Sequence, residues 1–211
     1  SSDNNIILNC TFENNCWYGI LLEYSDNNLI SSNIVENNYD GINLYYSDNN
    51  LISNNLVENN RSDGISIQFS NNNTLTNNTC ENNSRYGIYL GCSDNSRIEN
   101  NTCLLNHARG IILSASSNNI IENCTCSSNS DYGIHLYYSC NNTLINNTCE
   151  NNSECIRLDY SDNNLIENNL IKNNPTGILL TSSNNNLISG NIVENNDGYG
   201  IGLSYYTSNN T

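Results

Sequence analysis

The sequence lacks several features that mark common classes of protein. No run of about 18 apolar residues, the length needed to cross a membrane as a helix, occurs in it. Basic residues are scarce, with six Lys and Arg against 21 Asp and Glu and a net charge of -15. A surface this negative repels the phosphate backbone of nucleic acids. We therefore expect neither membrane insertion by this segment nor a nucleic-acid partner.

Methionine is absent, and the ten cysteines form neither a CxxC pair nor a haem attachment motif. Cysteine at this density without metal-binding spacing is typical of oxidising compartments, so we expect an extracellular or cell-surface location. The chain starts at Ser1 with neither Met nor an apolar leader, as a mature chain or an internal segment would.

The sequence does contain a repeat that runs from end to end. Its clearest copy is SDNNLISSNIVENNYDGINLYY, residues 25–46. Units of about 22–24 residues are in the range of solenoid proteins, and an uninterrupted period predicts one elongated domain over residues 1–211. A partial unit covers residues 207–211, so we also consider a segment of a longer array. The units start at Ser2, Ser25, Ser47, Ser70, Ser93, Ser116, Ser139, Ser161 and Ser183.

Within each unit, apolar and polar residues alternate in three short bursts, which indicates β-strands rather than helices. In residues 25–46 the inward positions are Ile30, Val35, Ile42 and Leu44. A glycine such as Gly41 recurs before the third burst, while the length of the preceding loop varies. Asn-Gly, the strongest hairpin signal, never occurs, so parallel coils are favoured over hairpins. We expect the glycine to adopt a special backbone angle at a corner.

Polar residues repeat as regularly as the apolar ones. Ser begins each unit, and Asn27, Asn28 and Asn33 have counterparts in nearly every copy. Successive coils of a β-solenoid lie about 4.8 Å apart, so these side chains are expected to stack into ladders. Their amides can bond one another and the turn backbone, and we interpret most of the asparagine as structural.

The recurring pattern NNLI-x-x-N-x-V-x-NN-x-x-GI-x-L resembles the repeats of right-handed parallel β-helix proteins. These include pectate-lyase-like proteins, periplasmic copper-processing proteins of the NosD type, and archaeal cell-surface proteins, methanogen ones particularly. The resemblance covers essentially the whole chain. It implies an all-β fold, a single right-handed parallel β-helix of about nine coils with no helical domain. Lyases, hydrolases, adhesins and passive surface layers share this fold, so the resemblance implies no single function.

Four inward cysteines occupy consecutive coils, at Cys80, Cys103, Cys126 and Cys149. A separation of about 4.8 Å between coils falls inside the range of Cα distances in disulfides, although parallel Cβ vectors strain such a bridge. A disulfide ladder is one interpretation. Small buried thiols that fill a narrow part of the core are the other, and we favour it.

Two kinds of surface site are predicted from single residue types. Asp3, Asp26 and Asp48 form a stripe in which Ca²⁺ is the candidate cofactor, because a hard cation relieves the repulsion between stacked carboxylates. A solvated acidic surface is the simpler explanation. Among the Asn-x-Ser/Thr sequons, Asn60, Asn82 and Asn151 lie in the loop of variable length, where we expect the most room for a glycan.

The residues that most resemble a catalytic site lie on two neighbouring coils. His135 and Tyr137 face outward on one coil, and Arg157 and Asp159 on the next. Such a group could bind a sugar acid and supply a base, although an exposed ion pair between Arg157 and Asp159 explains the pattern more simply.

An aromatic column is a candidate sugar-stacking track, but alternation directs it inward or into a corner, so we favour a packed ladder. It consists of Tyr24, Tyr46, Phe69, Tyr138, Tyr160 and Tyr205.

Three functions are compatible with these observations. Regular units and few candidate catalytic groups favour a noncatalytic extracellular structural protein, part of a surface layer, sheath or filament, glycosylated and stacked on copies of itself or on neighbouring repeats. The alternative is a polysaccharide-binding or polysaccharide-cleaving, pectate-lyase-like β-helix with glycans as partners. A NosD-like metal-processing role is third, since Met is absent and only His107 and His135 supply imidazoles. An enzymatic activity stays open, with the noncatalytic role favoured.

Overall fold

The computed structural model describes residues 2–211, which form 27 short β-strands and no helix. Each coil contributes three strands, beginning with β1 (Ile6–Leu8), β2 (Thr11–Glu13) and β3 (Tyr18–Glu23). Like strands of successive coils stack into three parallel nine-stranded sheets, here named A, B and C. The described residues thus contain no helix that is long and apolar enough to cross a membrane. The predicted all-β solenoid of about nine coils is confirmed.

Sheet A continues from β1 through β4 (Leu29–Ser31), β7 (Leu51–Ser53), β10 (Thr74–Thr76), β13 (Arg97–Glu99), β16 (Ile120–Glu122), β19 (Thr143–Ile145), β22 (Leu165–Glu167) and β25 (Leu187–Ser189). Sheet B continues from β2 through β5 (Ile34–Glu36), β8 (Leu56–Glu58), β11 (Thr79–Glu81), β14 (Thr102–Leu104), β17 (Thr125–Ser127), β20 (Thr148–Glu150), β23 (Leu170–Lys172) and β26 (Ile192–Glu194). Sheet C continues from β3 through β6 (Asp40–Tyr45), β9 (Ile65–Gln68), β12 (Ile88–Gly91), β15 (Ile111–Ser114), β18 (Tyr132–Tyr137), β21 (Glu154–Asp159), β24 (Thr176–Thr181) and β27 (Ile201–Ser204).

Strand pairing follows the sequence repeat residue for residue. Ile7 pairs with Ile30 in sheet A, and Cys80 pairs with Cys103 in sheet B. Between the two end coils, the inward residues of all three sheets are almost completely buried and form one continuous core along the axis. Because each coil buries its apolar residues against its neighbours, stability depends on stacking.

A ladder of asparagines occupies the corner between sheets A and B. Asn55 Nδ2 donates to the Ile30 carbonyl at 3.0 Å and to Asn78 Oδ1 at 2.9 Å. Its own Oδ1 accepts the backbone N–H and the side-chain Nδ2 of Asn33, both at 3.0 Å. The predicted ladder of Asn33 equivalents is confirmed, and it satisfies backbone groups that would otherwise be buried unpaired.

Equivalent ladders occupy the other two corners. The corner from sheet C to sheet A stacks Asn5, Asn28, Asn50, Asn73, Ser96, Asn119, Asn142, Asn164 and Asn186, with the serine as the one substitute for asparagine among them. The corner from sheet B to sheet C stacks Asn15, Asn38, Asn60, Asn83, Asn106, Asn129, Asn152, Asn174 and Asn196.

The two residues of each recurring Asn-Asn pair have different structural roles. The residue before each ladder position has a positive φ, as at Asn54 and Asn77, both with φ 55. Asparagine tolerates this left-handed conformation better than most residues. The first Asn therefore makes the turn and the second makes the ladder, which explains why the dipeptide recurs.

The glycine column before sheet C is required by close packing. Of the glycines that the structure describes, only Gly190 has a positive φ, and it lies outside this column. A Cβ at Gly64 would lie 2.7 Å from the Gly87 carbonyl oxygen and 2.8 Å from Asn83 Nδ2. The expectation of a special backbone angle is therefore wrong, because what this corner excludes is a side chain.

The inward cysteines are for the most part reduced. Cys80, Cys103 and Cys126 are fully buried free thiols stacked in register. Cys149 continues the column but forms a disulfide with Cys155, six residues further along. The alternative of a disulfide ladder between coils does not occur, since in-register parallel strands direct neighbouring Cβ atoms the same way rather than toward each other.

Asn60 does not fit the role of a glycan acceptor that its sequon suggested. Its side chain has 0% exposure, and Nδ2 donates to the Val35 carbonyl and to Asn83 Oδ1. A glycan on that nitrogen would break the ladder of the B–C corner. Asn82 and Asn151 are exposed, and glycosylation there stays a prediction.

Candidate functional site

Aromatic side chains are confined to one of the three sides of the solenoid. Of the one Trp, 14 Tyr and two Phe, every residue except Phe12 lies on sheet C or in the corners that lead into and out of it. The outer faces of sheets A and B carry mainly Thr, Ser, Leu, Ile and Glu. Sheet C therefore offers a ligand a different chemistry from the other two sheets.

The central column on the outer face of sheet C points away from the core, as predicted. Asn43, Ile112 and His135 nevertheless have only 3–6% exposure, because side chains on both sides of the column cover them. Over the first coils these flanking side chains enclose a trough of about 390 Å³. It is lined by Tyr18, Leu21, Glu23, Asn43, Tyr45 and Gln68.

Positive charge is concentrated on the same side. Four of the six basic residues lie on sheet C or in the corner before it, namely Arg61, Arg85, Arg109 and Arg157. The Arg85 guanidinium lies 4.3 Å from the centre of the Tyr86 ring, and that of Arg109 lies 5.1 Å from the centre of the Tyr132 ring. Cation–π contacts of this kind fix the rings in place. Each of Arg85, Arg109 and Arg157 is also paired with a carboxylate, namely that of Asp63, Asp131 or Asp159, so the guanidinium groups are held in place from two sides.

The structure brings the predicted residues His135, Arg157 and Asp159 together in one hydrogen-bonded cluster. His135 Nε2 lies 3.0 Å from Asp159 Oδ2, and Arg157 Nη2 lies 2.9 Å from Asp159 Oδ1. Arg157 Nη1 also donates to Glu154 Oε2 at 3.1 Å. Side-chain exposure is 4% for His135, 15% for Asp159 and 19% for Arg157. The cluster is thus a largely buried network, and not the exposed ion pair of the simpler interpretation.

Burial and hydrogen bonding set the protonation states in this cluster. Burial lowers the pKa of His135, and the hydrogen bond to Asp159 opposes that shift only in part. Burial alone would raise the pKa of Asp159, but the bonds from His135 and Arg157 outweigh it and the net shift is downward. At neutral pH we therefore expect a neutral imidazole beside an ionised carboxylate. The Asp159 carboxylate accepts a hydrogen bond from the protonated Nε2 of His135, so the lone pair of the neutral imidazole is on Nδ1.

That second imidazole nitrogen is the feature of the cluster best suited to chemistry. His135 Nδ1 is the one buried side-chain nitrogen or oxygen, among residues 2–211, that has no hydrogen-bond partner. The rings of Tyr132 and Tyr137 have their centres 5.0 and 5.9 Å from that of the imidazole. A carboxylate that holds one nitrogen of a histidine leaves the other oriented as a base.

The aromatic column at the corner after sheet C forms two stacks. Tyr24, Tyr46 and Phe69 stack with centre-to-centre distances of 5.2 and 5.1 Å. Tyr138 and Tyr160 stack at 4.7 Å with their planes 6° apart. The rings form the packed ladder that was favoured, in a corner rather than inward, with 41–55% of each residue exposed.

The aspartates of the predicted calcium stripe accept hydrogen bonds from one coil to the next, and calcium binding by them stays a prediction. Asp3 Oδ1 accepts the backbone N–H of Asp26 at 2.9 Å, and Asp26 Oδ1 accepts that of Asp48 at 2.7 Å. Asp48 Oδ1 in turn accepts the N–H of Asn71. These oxygens thus extend the ladder system, and within residues 2–211 no three His, Cys, Asp or Glu side chains are arranged to hold a metal ion.

A second buried carboxylate lies at the corner before sheet C. Asp63 is 3% exposed and lies beside Asp40, whose Oδ1 accepts the Asp63 backbone N–H at 3.0 Å. Burial raises the pKa of Asp63 to about 7, and the Arg85 guanidinium at 3.7 Å opposes the shift. Asp63 is therefore a group that titrates near neutral pH on the same side as the aromatic residues.

Sequence reasoning missed most of the aromatic residues of this side, including Trp17, Tyr86 and Tyr132. The signal was present, because all of them fall between the Val35 position of one unit and the start of the next. Counting aromatic residues by their position within the repeat would have shown that they are confined to one side of the solenoid.

Two family models match the chain, each over more than half of it. One is described as a right-handed β-helix region and matches residues 1–119. The other is described as periplasmic copper-binding protein (NosD) and matches residues 94–211. A search of the curated proteins found no match.

Solved structures with the same fold include two epimerases and an alginate lyase. The A-module of mannuronan C-5 epimerase AlgE4 from Azotobacter vinelandii is 18% identical, with a TM-score of 0.77 over 87% of this chain and 60% of that one. The periplasmic alginate epimerase AlgG is 20% identical, with a TM-score of 0.72 over 89% and 51%. An alginate lyase from Paenibacillus sp. is 13% identical, with a TM-score of 0.74 over 95% and 79%. The chain thus spans about half to three fifths of the two epimerase structures.

Proposed function

This chain belongs to the right-handed β-helix family and, over its second half, to the NosD family, and from that premise we propose that it binds a polysaccharide along the outer face of sheet C. The observation that carries the proposal is the confinement of all aromatic residues but Phe12 to that side. A sugar ring has one face of C–H groups and a rim of hydroxyls, so it suits a surface of aromatic rings interleaved with polar groups.

Geometry and the comparisons both support this proposal. The outer face is continuous over nine strands, and its trough at Tyr18 and Tyr45 is open and lined by amide and carboxylate groups. The solved neighbours include alginate epimerases and an alginate lyase. They favour a polysaccharide ligand over the surface-layer building block that the sequence analysis put first. An extracellular or periplasmic location accords with the NosD family and with the periplasmic epimerase.

A polysaccharide array that includes alginate, pectate and neutral glucans tests the proposal. We expect retention of at least one polymer by the wild-type protein. Tyr45→Ala and Tyr137→Ala should each weaken retention by about 5- to 150-fold, as loss of about 1–3 kcal/mol of stacking implies. The control is Leu51→Thr on the outer face of sheet A, where the next coil already carries Thr74. Equal loss in the control, or no retention of any polymer, would refute the proposal.

Catalysis on a uronate polymer is the second candidate function, and the unpaired His135 Nδ1 favours it. In β-elimination, a base removes the proton from the carbon that bears the carboxyl group, the neighbouring glycosidic C–O bond breaks, and the departing oxygen takes up a proton. His135 Nδ1 would be the base, and the hydroxyl of Tyr132 or Tyr137, whose rings lie beside the imidazole, would supply the proton. Because Nδ1 is buried, one of these rings must rotate away before a sugar reaches it.

Ultraviolet absorbance of the unsaturated product, with alginate and pectate as substrates, tests this activity. We expect His135→Gln to lose it and His107→Gln, which changes the exposed histidine, to keep it. The fall in rate should be about 100-fold or more, the usual contribution of a general base. Lyase activity that survives in His135→Gln would remove His135 from the mechanism.

Copper binding, as in the name of the NosD family, has less support from the residues of this chain. Cys80, Cys103 and Cys126 lie inside the core with 0% exposure. The bond to the Cys103 thiol and burial raise the pKa of Cys126 well above its usual range, and burial raises that of Cys124 to about 12. Copper(I) prefers thiolates, so the core would have to open for these residues to bind it.

A further inference from the structure

The aromatic column after sheet C lacks a ring at three coils: Cys92 and Ala115 interrupt it in the middle, and Ser182 interrupts it between two tyrosines. Tyr160, Ser182 and Tyr205 occupy this position on three successive coils, with φ values of 53, 49 and 46. The equal backbone conformation places the three side chains on the same line along the axis. Ser182 is therefore a missing ring in a ladder of rings.

The size of the gap follows from the coil spacing. Successive coils lie about 4.8 Å apart, so the positions of Tyr160 and Tyr205 are separated by roughly twice that distance. Stacked rings in the same column have centres 4.7–5.2 Å apart. One ring inserted over Ser182 would thus lie at stacking distance from both neighbours.

The structure contains an open cavity at this place. It has a volume of about 460 Å³ and is lined by Tyr160, Thr181, Ser182, Tyr205 and Tyr206. The Tyr160 ring is parallel to that of Tyr138 on one side, so its other face is directed along the axis toward the gap. Tyr205 and Tyr206 are 75% and 94% exposed, which leaves the entrance free.

Polar groups at the floor of the cavity decide which kind of ring fits. Thr181 Oγ1 lies 3.1 Å from Ser204 Oγ, and Ser182 Oγ donates to the Tyr205 carbonyl at 3.2 Å. These hydroxyls can each exchange a hydrogen bond with a ligand hydroxyl. No basic side chain lines the cavity, and the net charge is -15, so an anionic ring is disfavoured.

We propose that the gap at Ser182 is a binding site for one neutral pyranose ring, held between Tyr160 and the Tyr205–Tyr206 pair. The site rests on the proposed function, because a ring held there would be one unit of a polysaccharide bound beside sheet C. It lies at the corner after that sheet and is lined by no residue of the His135 cluster, so it binds a sugar without acting on it.

Saturation-transfer NMR with methyl glucoside, methyl galactoside and methyl mannoside tests the site directly. We expect transfer to the ring protons of at least one glycoside in the wild-type protein. Ser182→Tyr should abolish this transfer, because the added ring fills the gap between Tyr160 and Tyr205. The backbone at Ser182 should accept tyrosine, since Tyr160 has nearly the same φ at the equivalent position of the preceding coil. Ala115→Tyr is the matched control, since it adds a tyrosine to the same column three coils away, and transfer should persist. No transfer in the wild type, or undiminished transfer in Ser182→Tyr, would overturn the proposal.

Retention of the polymer in the same variants separates this site from the proposed function. If Ser182→Tyr binds polymer and glycoside like the wild type while Tyr45→Ala does not bind the polymer, the site is wrong and the proposed function stands. If no polymer binds the wild-type protein but glycoside transfer is lost in Ser182→Tyr, the site stands without the larger function.

Discussion

Asn78→Ala should destabilise the protein far more than the loss of one polar side chain suggests. Asn78 is 1% exposed and links three coils: Nδ2 donates to the Ile52 carbonyl at 2.9 Å and to Asn101 Oδ1 at 3.0 Å, and Oδ1 accepts the Asn55 backbone N–H at 3.0 Å. Alanine leaves both backbone groups buried without these bonds. At about 1–3 kcal/mol for each unsatisfied group, the expected loss is about 2–6 kcal/mol.

Equilibrium urea unfolding followed by circular dichroism measures this loss. The control is Asn77→Gly, which removes the side-chain amide of the residue next to Asn78. Asn77 is exposed and has φ 55, a conformation that glycine adopts freely, so its change should stay below about 1 kcal/mol. If Asn78→Ala lowers stability by no more than Asn77→Gly, the ladders do not hold the coils together and the structural role assigned to asparagine is refuted.

Three further predictions concern stability and thiol chemistry. Because the folded pKa of Asp63 is about 7 against an ordinary 3.8, its contribution to stability is full below the lower value and lost as pH rises through the upper one. Asp63→Asn should flatten that part of the curve of urea midpoint against pH, and an unchanged slope would contradict the burial argument. Gly64→Ala should cost about 1–3 kcal/mol in urea unfolding because its Cβ would meet the next coil at 2.7 Å, whereas Gly200→Ala, with its nearest atom at 3.6 Å, should cost less; equal losses would count against close packing. An alkylating reagent should label the exposed thiols in the native protein, and mass spectrometry that finds rapid native labelling of the buried ones would contradict the assigned core. The exposed thiols are Cys10, Cys16 and Cys92, and the buried ones are Cys80, Cys103, Cys124 and Cys126.

The fold was predictable because each inward position repeats in every unit. Columns such as those of Ile30 and Ile42 need no knowledge of tertiary contacts, and the spacing of the units gave the number of coils. The B–C ladder was missed at Asn60, since the loop that follows it varies in length and suggested an exposed, irregular corner. At Gly64 we expected a backbone angle that only glycine adopts, whereas the structure shows that the neighbouring coil leaves no room for a side chain. Either cause selects glycine, so the sequence does not distinguish them.

The candidate site was predictable only in part. His135, Arg157 and Asp159 were recognised as neighbours because they occupy matched positions on successive coils. Their burial was not foreseen, since it depends on rings such as Tyr132 that pack over them from the side. Alternation left two places for the aromatic column, inward or in a corner, and the corner is the correct one because the positive φ of Tyr46 turns the chain there.

The central claim is that a polysaccharide lies along sheet C, and hydroxyl-radical footprinting with a polymer retained on the array tests it most directly. We predict that the polymer protects Tyr45 and Tyr137 on sheet C from oxidation and leaves Leu29 and Leu51 on the outer face of sheet A unprotected. Protection of the sheet A leucines with no change at the two tyrosines would contradict the claim.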